Sequence, residues 1–106
     1  MDAFDLADLT AAQHAGGKPY HEFLRKDSLS VGLYVLAAGT TDGQQPHAED
    51  EVYYVIGGRG RFRAGQEDRA VGPGAVLFVA AGVEHRFHDI VEDLSLLVFF
   101  APAEGG

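Results

Sequence analysis

Residues 51–79 read EVYYVIGGRGRFRAGQEDRAVGPGAVLFV. Four runs of five or six residues, 51–56, 60–64, 67–71 and 75–79, are divided here by Gly57-Gly58, Gly65-Gln66 and Gly72-Pro73-Gly74. Short runs carrying β-branched and aromatic residues between glycine and proline breaks are the pattern of strands joined by tight turns. Gly57-Gly58-Arg59-Gly60 joins two such runs and does not open a helix, so it is no phosphate-binding loop. The same texture extends outward to 20–25 and 29–37 on one side and to 84–88 and 94–100 on the other. Eight short strands with brief turns predict an all-β jelly-roll or comparable barrel over 20–100. Ahead of it, residues 3–15 (AFDLADLTAAQHA) are rich in helix formers and end at Gly16-Gly17, which predicts a short helical segment within 1–18. After it, APAEGG at 101–106 reads as a loose tail.

Composition narrows the function classes. At 106 residues the chain is sized for a single domain, taken as 1–106, and 46% apolar with 23% charged residues is a globular balance. Eight basic against sixteen acidic residues leave a formal charge of −8, which repels a polyanion, so nucleic acid is not an expected partner. The absence of cysteine rules out disulfides and thiolate metal sites, so any metal must rest on nitrogen and oxygen ligands. MDAFDLADLT carries acidic residues where a secretory signal would be basic, and no apolar run is long enough to span a bilayer; a cytoplasmic protein without a membrane partner is expected.

The segment Gln45-Pro46-His47-Ala48-Glu49-Asp50-Glu51 concentrates groups able to bind a metal just before the first of these strands. In an extended chain alternate side chains face the same way. Gln45, His47, Glu49 and Glu51 would therefore share one face with Tyr53 and Val55, and Val52, Tyr54 and Ile56 the other. Glu49 and Asp50 read as solvated acidic residues. His85 follows the apolar run 75–81 and Gly82, with Phe87 on its own face and His88 on the opposite one. Two imidazoles and a carboxylate form the donor set that leaves open positions on an iron-type divalent ion.

Residues 39–60 resemble the first sequence motif of the cupin superfamily, a glycine, a histidine pair, a glutamate four residues after its second histidine, and a closing glycine. His47, Glu51 and Gly57 or Gly58 fit it. Residues 74–89 resemble the second motif through Gly74, Gly82 and His85. Gln45 stands where the family usually has the first histidine of the pair, Ala80 replaces a proline and Asp89 an asparagine.

The resemblance implies a double-stranded β-helix, or jelly-roll, barrel with one divalent ion (iron, manganese, nickel, cobalt, copper or zinc) on His47, Glu51, His85 and the carbonyl oxygen of Gln45. It also implies a small-molecule substrate in the barrel and a homodimer, to which the outward apolar Val52, Tyr54 and Ile56 are suited. A dioxygenase-like enzyme is the first expectation, with Glu51 or Tyr53 able to move a proton and isomerisation or decarboxylation as related chemistries. The alternative is a barrel that binds a small ligand, or senses it, without turnover. Were the ligand an anion, Arg61 or Arg63 would be the cation to examine.

Overall fold

The computed structural model describes residues 1–43 and 46–105. A single helix, α1 (Leu6–Gly16), precedes six strands: β1 (Tyr20–Arg25), β2 (Ser30–Leu36), β3 (Asp50–Ala64), β4 (Glu67–Val71), β5 (Val76–Val79) and β6 (His85–Ala101). Gly17 in the left-handed conformation ends α1, as the Gly16-Gly17 pair predicts. The helix lies against β1 and β2, with Leu9 buried and Phe4 edge-on to Phe23. Among the described residues no helix is long and apolar enough to cross a membrane.

All strand pairs are antiparallel, in the order β1-β2-β6-β3-β4, with β5 on β3. Eight strands were expected and six form, because two pairs of expected strands are each continuous. β3 runs through Gly57-Gly58 and pairs with β6 from Asp50↔Ala101 to Ala64↔His85. The expected breaks survive as slips in register between Val55 and Gly57, Gly57 and Arg59, and Arg59 and Arg61. Bulges of this kind bend a strand without ending it. Gly58 sits at φ 91°, and a Cβ there would run into the Asp93 carbonyl and the Leu94 Cα. On β6 the matching distortion is Asp89, at φ 46°. Aspartate and asparagine tolerate this region better than most residues, which accounts for the residue type at that position.

The bend divides the sheet into two walls. The first half of β3 lies between β5 and the second half of β6, which continues to β2 and β1. The second half of β3 pairs with β4 and the first half of β6. Side chains from both walls meet inside as one core that includes Tyr53, Val55, Phe62, Leu77, Phe87, Leu96, Val98 and Phe100. Tyr53, Phe62 and Phe87 pack with ring centroids 4.6 to 5.5 Å apart. This is the two-walled jelly-roll barrel that the strand pattern predicts.

The tail departs from expectation. Ala103 is buried, its amide donates to the Asp27 carbonyl, the Glu104 amide donates to Ser30 Oγ at 2.9 Å, and Arg25 donates to the Glu104 carbonyl at 2.8 Å. Residues 101–105 are thus tied to the β1–β2 end of the barrel, by polar pairings that their small and acidic side chains gave no sign of.

Gly58→Ala is expected to lower the unfolding free energy by about 2 kcal/mol or more, the scale of a non-glycine residue held at strained φ with an added clash. Urea denaturation of the variant beside the parent protein measures this.

Candidate metal centre

Alternation along β3 turns Glu51, Tyr53 and Val55 inward, and alternation along β6 does the same for His85 and Phe87. His47 reaches the same point from the segment ahead of β3. One backbone bond joins the two histidine-bearing segments: the Gly82 amide, in the turn before β6, donates to the His47 carbonyl at 2.8 Å. Beside it, the Ala81 amide donates to Asp50 Oδ1, also at 2.8 Å. His47, Glu51 and His85 consequently each bring a ligand atom within 4.8 Å of the others. Gln45, the fourth expected ligand, lies outside the described residues.

Glu51 has 1% relative exposure, and neither of its oxygens accepts a hydrogen bond from the described residues. Oε1 lies 3.0 Å from His85 Nε2, an ion pair whenever His85 is protonated. A carboxylate buried this way is costly unless a cation faces it; protonated His85 can be that cation in metal-free protein, and a metal ion can replace it. A divalent ion among Glu51, His47 and His85 meets that need, and two nitrogens with one carboxylate suit iron, manganese, cobalt, nickel, copper or zinc. The residues therefore fit the ion that the sequence motif implies.

His85 is set for such a role. Its Nδ1 donates to the Val83 carbonyl at 2.8 Å, leaving Nε2 directed at Glu51 and, at 3.1 Å, at the Tyr53 hydroxyl. Tyr53 itself is fully buried, with its hydroxyl against His85 Nε2. His47 is edge-on to Phe100, with ring centroids 4.9 Å apart, and its Nδ1 lies 3.3 Å from Glu104 Oε2. Burial raises the Glu104 pKa; His47 opposes this, but the net direction is upward.

Three acidic residues bear on the site in ways the sequence reading missed. Glu49, expected in solvent, is buried and accepts from the Gly105 amide at 3.3 Å. Asp42 is also buried and accepts from the Tyr34 hydroxyl at 2.8 Å and the Phe87 amide at 3.0 Å. It fastens the segment after β2 back to β2 and to β6. Glu104 had no motif to mark it. For Glu49, sharing a strand face with Glu51 was the available signal.

A cavity of about 160 Å³ adjoins His47, lined by Tyr20, Tyr34, His47, Val98, Phe100 and Glu104. A void of that size holds a molecule of roughly benzene dimensions. Burial, above all, pushes both tyrosine hydroxyls well above the usual phenol range, so they remain neutral. Arg61 and Arg63 do not line this cavity. They flank the inward Phe62 and face the other way, Arg61 pairing with Asp68 at 2.9 Å. His88 also points away from His85, to Asp68 at 2.7 Å, as its place in the strand predicts.

Burial works to lower the His85 pKa, but the Glu51 carboxylate and the Val83 carbonyl outweigh it and the net direction is up. In metal-free protein the folded chain then holds this proton more tightly than the unfolded chain. The resulting stabilisation is fully present below the ordinary histidine pKa of about 6.5 and fades as pH rises through the folded value. A metal ion must displace the same proton. The gain in Tm on adding Zn²⁺ is therefore expected to be larger at about pH 8 than at about pH 6, measured by thermal melts of chelator-treated protein.

Comparison with known proteins bears on the fold and the family. Residues 32–100 match the cupin domain family. An uncharacterized protein of Streptomyces coelicolor is 52% identical over 104 residues, covering 98% of this chain and 99% of that one. The crystal structure of TT1209 from Thermus thermophilus superposes with a TM-score of 0.78 at 28% identity, over 97% of this chain and 99% of that chain. The DMSP lyase DddQ of Ruegeria pomeroyi superposes with a TM-score of 0.71 at 19% identity, over 95% of this chain and 66% of that chain, a likeness of fold. With its two-walled barrel, its paired motifs and most of its length matched, this chain belongs to the cupin family.

Proposed function

We propose that this cupin is a mononuclear metal-dependent enzyme acting on a small organic molecule held beside His47. The observation that carries the reading is the buried Glu51 carboxylate, with one ligand atom each of His47 and His85 within 4.8 Å of it and of each other. A bound ion would supply Lewis acidity and open positions at which substrate, and in a dioxygenase-like reaction dioxygen, can be held together. The chain's own residues would do the rest. His47, Glu51 and His85 hold the ion, the Val83 carbonyl fixes the His85 ring, and the Tyr53 hydroxyl at His85 Nε2 is placed to hold or pass a proton. Val98 and Phe100 would exclude water from one side of the substrate. No lysine or arginine lines the cavity, so a substrate carboxylate would be balanced by the ion. The DMSP lyase among the similar folds makes elimination, which consumes no oxygen, a reaction to assay beside oxygenation.

Elemental analysis of the purified protein is expected to find close to one transition-metal ion per chain, falling to a small fraction in His47→Ala and His85→Ala while circular dichroism still reports the β fold. Full occupancy in both variants would remove the ligand assignment. Substrate screens with oxygen-electrode detection separate the chemistries: oxygen uptake marks the dioxygenase, turnover without uptake the lyase or isomerase, and binding without turnover a ligand-capturing cupin.

The protein is further proposed to be a homodimer through its outer wall. Two cross-strand rows, Phe78-Val52-Phe99 and Val76-Tyr54-Leu97, run over β5, β3 and β6 and stop at β2, where Val31 and Leu33 are buried. Val76 and Phe78 are each 64% exposed, with Tyr54 at 41% and Phe99 at 37%. A contiguous apolar surface of this kind on a wall rather than in a cleft suits a second copy of itself. Phe78→Glu is expected to shift the mass from dimer to monomer in size-exclusion chromatography with light scattering; a wild-type monomer would end the proposal.

A further inference from the structure

We infer that Glu104, in the C-terminal tail, is a positioning residue of the metal centre, holding His47 so that its Nε2 faces the ion. The inference rests on the metal reading above and concerns a residue that neither sequence motif includes.

The two histidines present their ligand nitrogens by the same device with different acceptors. His85 directs Nδ1 at a backbone carbonyl, that of Val83, at 2.8 Å. His47 directs Nδ1 at a carboxylate oxygen, Glu104 Oε2, at 3.3 Å. With a proton on Nδ1 the neutral ring carries its lone pair on Nε2, the tautomer needed to bind a metal there. A carboxylate is the stronger kind of acceptor, so even at the longer distance of 3.3 Å Glu104 would draw the ring toward that tautomer.

The carboxylate can do this because its own backbone is fixed. The Glu104 amide donates to Ser30 Oγ, its carbonyl accepts from Arg25, and the next amide, of Gly105, donates to Glu49 Oε2. Ser30 is fully buried on β2, Arg25 ends β1 and Glu49 is two residues from Glu51. Tail, first hairpin and ligand segment are thus closed into one unit around His47, whose ring rests on Phe100, just before the tail. Residues 101–105 complete the centre that the two motifs begin.

Co²⁺ and Zn²⁺ affinities, measured by chelator competition on wild type, Glu104→Ala, Glu104→Gln and His47→Ala, test this. Glu104→Ala is expected to bind about 10- to 100-fold more weakly, the usual effect of removing the acceptor behind a ligand histidine. Its Co²⁺ absorption spectrum should be altered while the Tm of the metal-free protein stays close to wild type. Glu104→Gln keeps an acceptor oxygen and should recover part of the affinity. In metal-free protein, ¹⁵N shifts of the His47 ring should report the Nδ1–H tautomer in wild type and a tautomer mixture in Glu104→Ala. Wild-type affinity, cobalt spectrum and tautomer in both Glu104 variants, with binding abolished in His47→Ala, would overturn the role of Glu104 and leave the metal reading standing. A wild-type protein that takes up neither ion would overturn both. If Glu104→Ala fails to fold, Glu104→Gln and the tautomer measurement decide.

Discussion

The arrangement of this barrel turns on one unfavourable act, the burial of the Glu51 carboxylate, which needs a cation opposite it, whether a proton on His85 or a metal ion. Electrostatics in a low-dielectric interior makes such a group either a liability or a device. The surroundings favour the second. His85 is locked by Val83 with Nε2 toward Glu51, His47 enters from the preceding segment, and the Gly82–His47 backbone bond keeps the two together. Glu49 and Glu104 add acidic groups on the same side, so the field there favours a dication.

The strand walls exist to hold that point still. Because side chains alternate, the residues that place Glu51 and Tyr53 inside also place Val52 and Tyr54 outside. The continuity of β3 and β6 matters more than their number of strands. Each passes from one wall to the other through a bend at Gly57-Gly58 and Asp89, so a single ladder carries Glu51 on one wall and His85 on the other.

Much of this was legible in the residues. The alternation from Glu51 to Val55, the inward turn of His85 and the outward turn of His88 follow from period-two geometry, and the motif glycines fall where turns and bends occur. The continuity of β3 was not legible, since Gly57-Gly58 reads the same whether a strand ends or bulges; the difference lies in Asp93 and Leu94 packing against Gly58 from the partner strand. Nor were Asp42, Glu49 and Glu104, whose partners are backbone amides, hydroxyls and a histidine distant in sequence. An acidic side chain in a short loop or tail carries no periodic signal, and whether it meets solvent or a buried donor is decided by tertiary contacts alone.

The distance along the chain between His47 and His85 has a kinetic meaning. Their meeting requires β3 and β6 to be paired and the intervening β4 and β5 to be in place, all non-local contacts of the kind that form slowly. An unfolded chain would offer an ion only scattered single ligands. Metal would therefore act on the finished barrel, slowing its opening rather than speeding its formation, and the lifetime of the folded protein would follow metal supply in the cell.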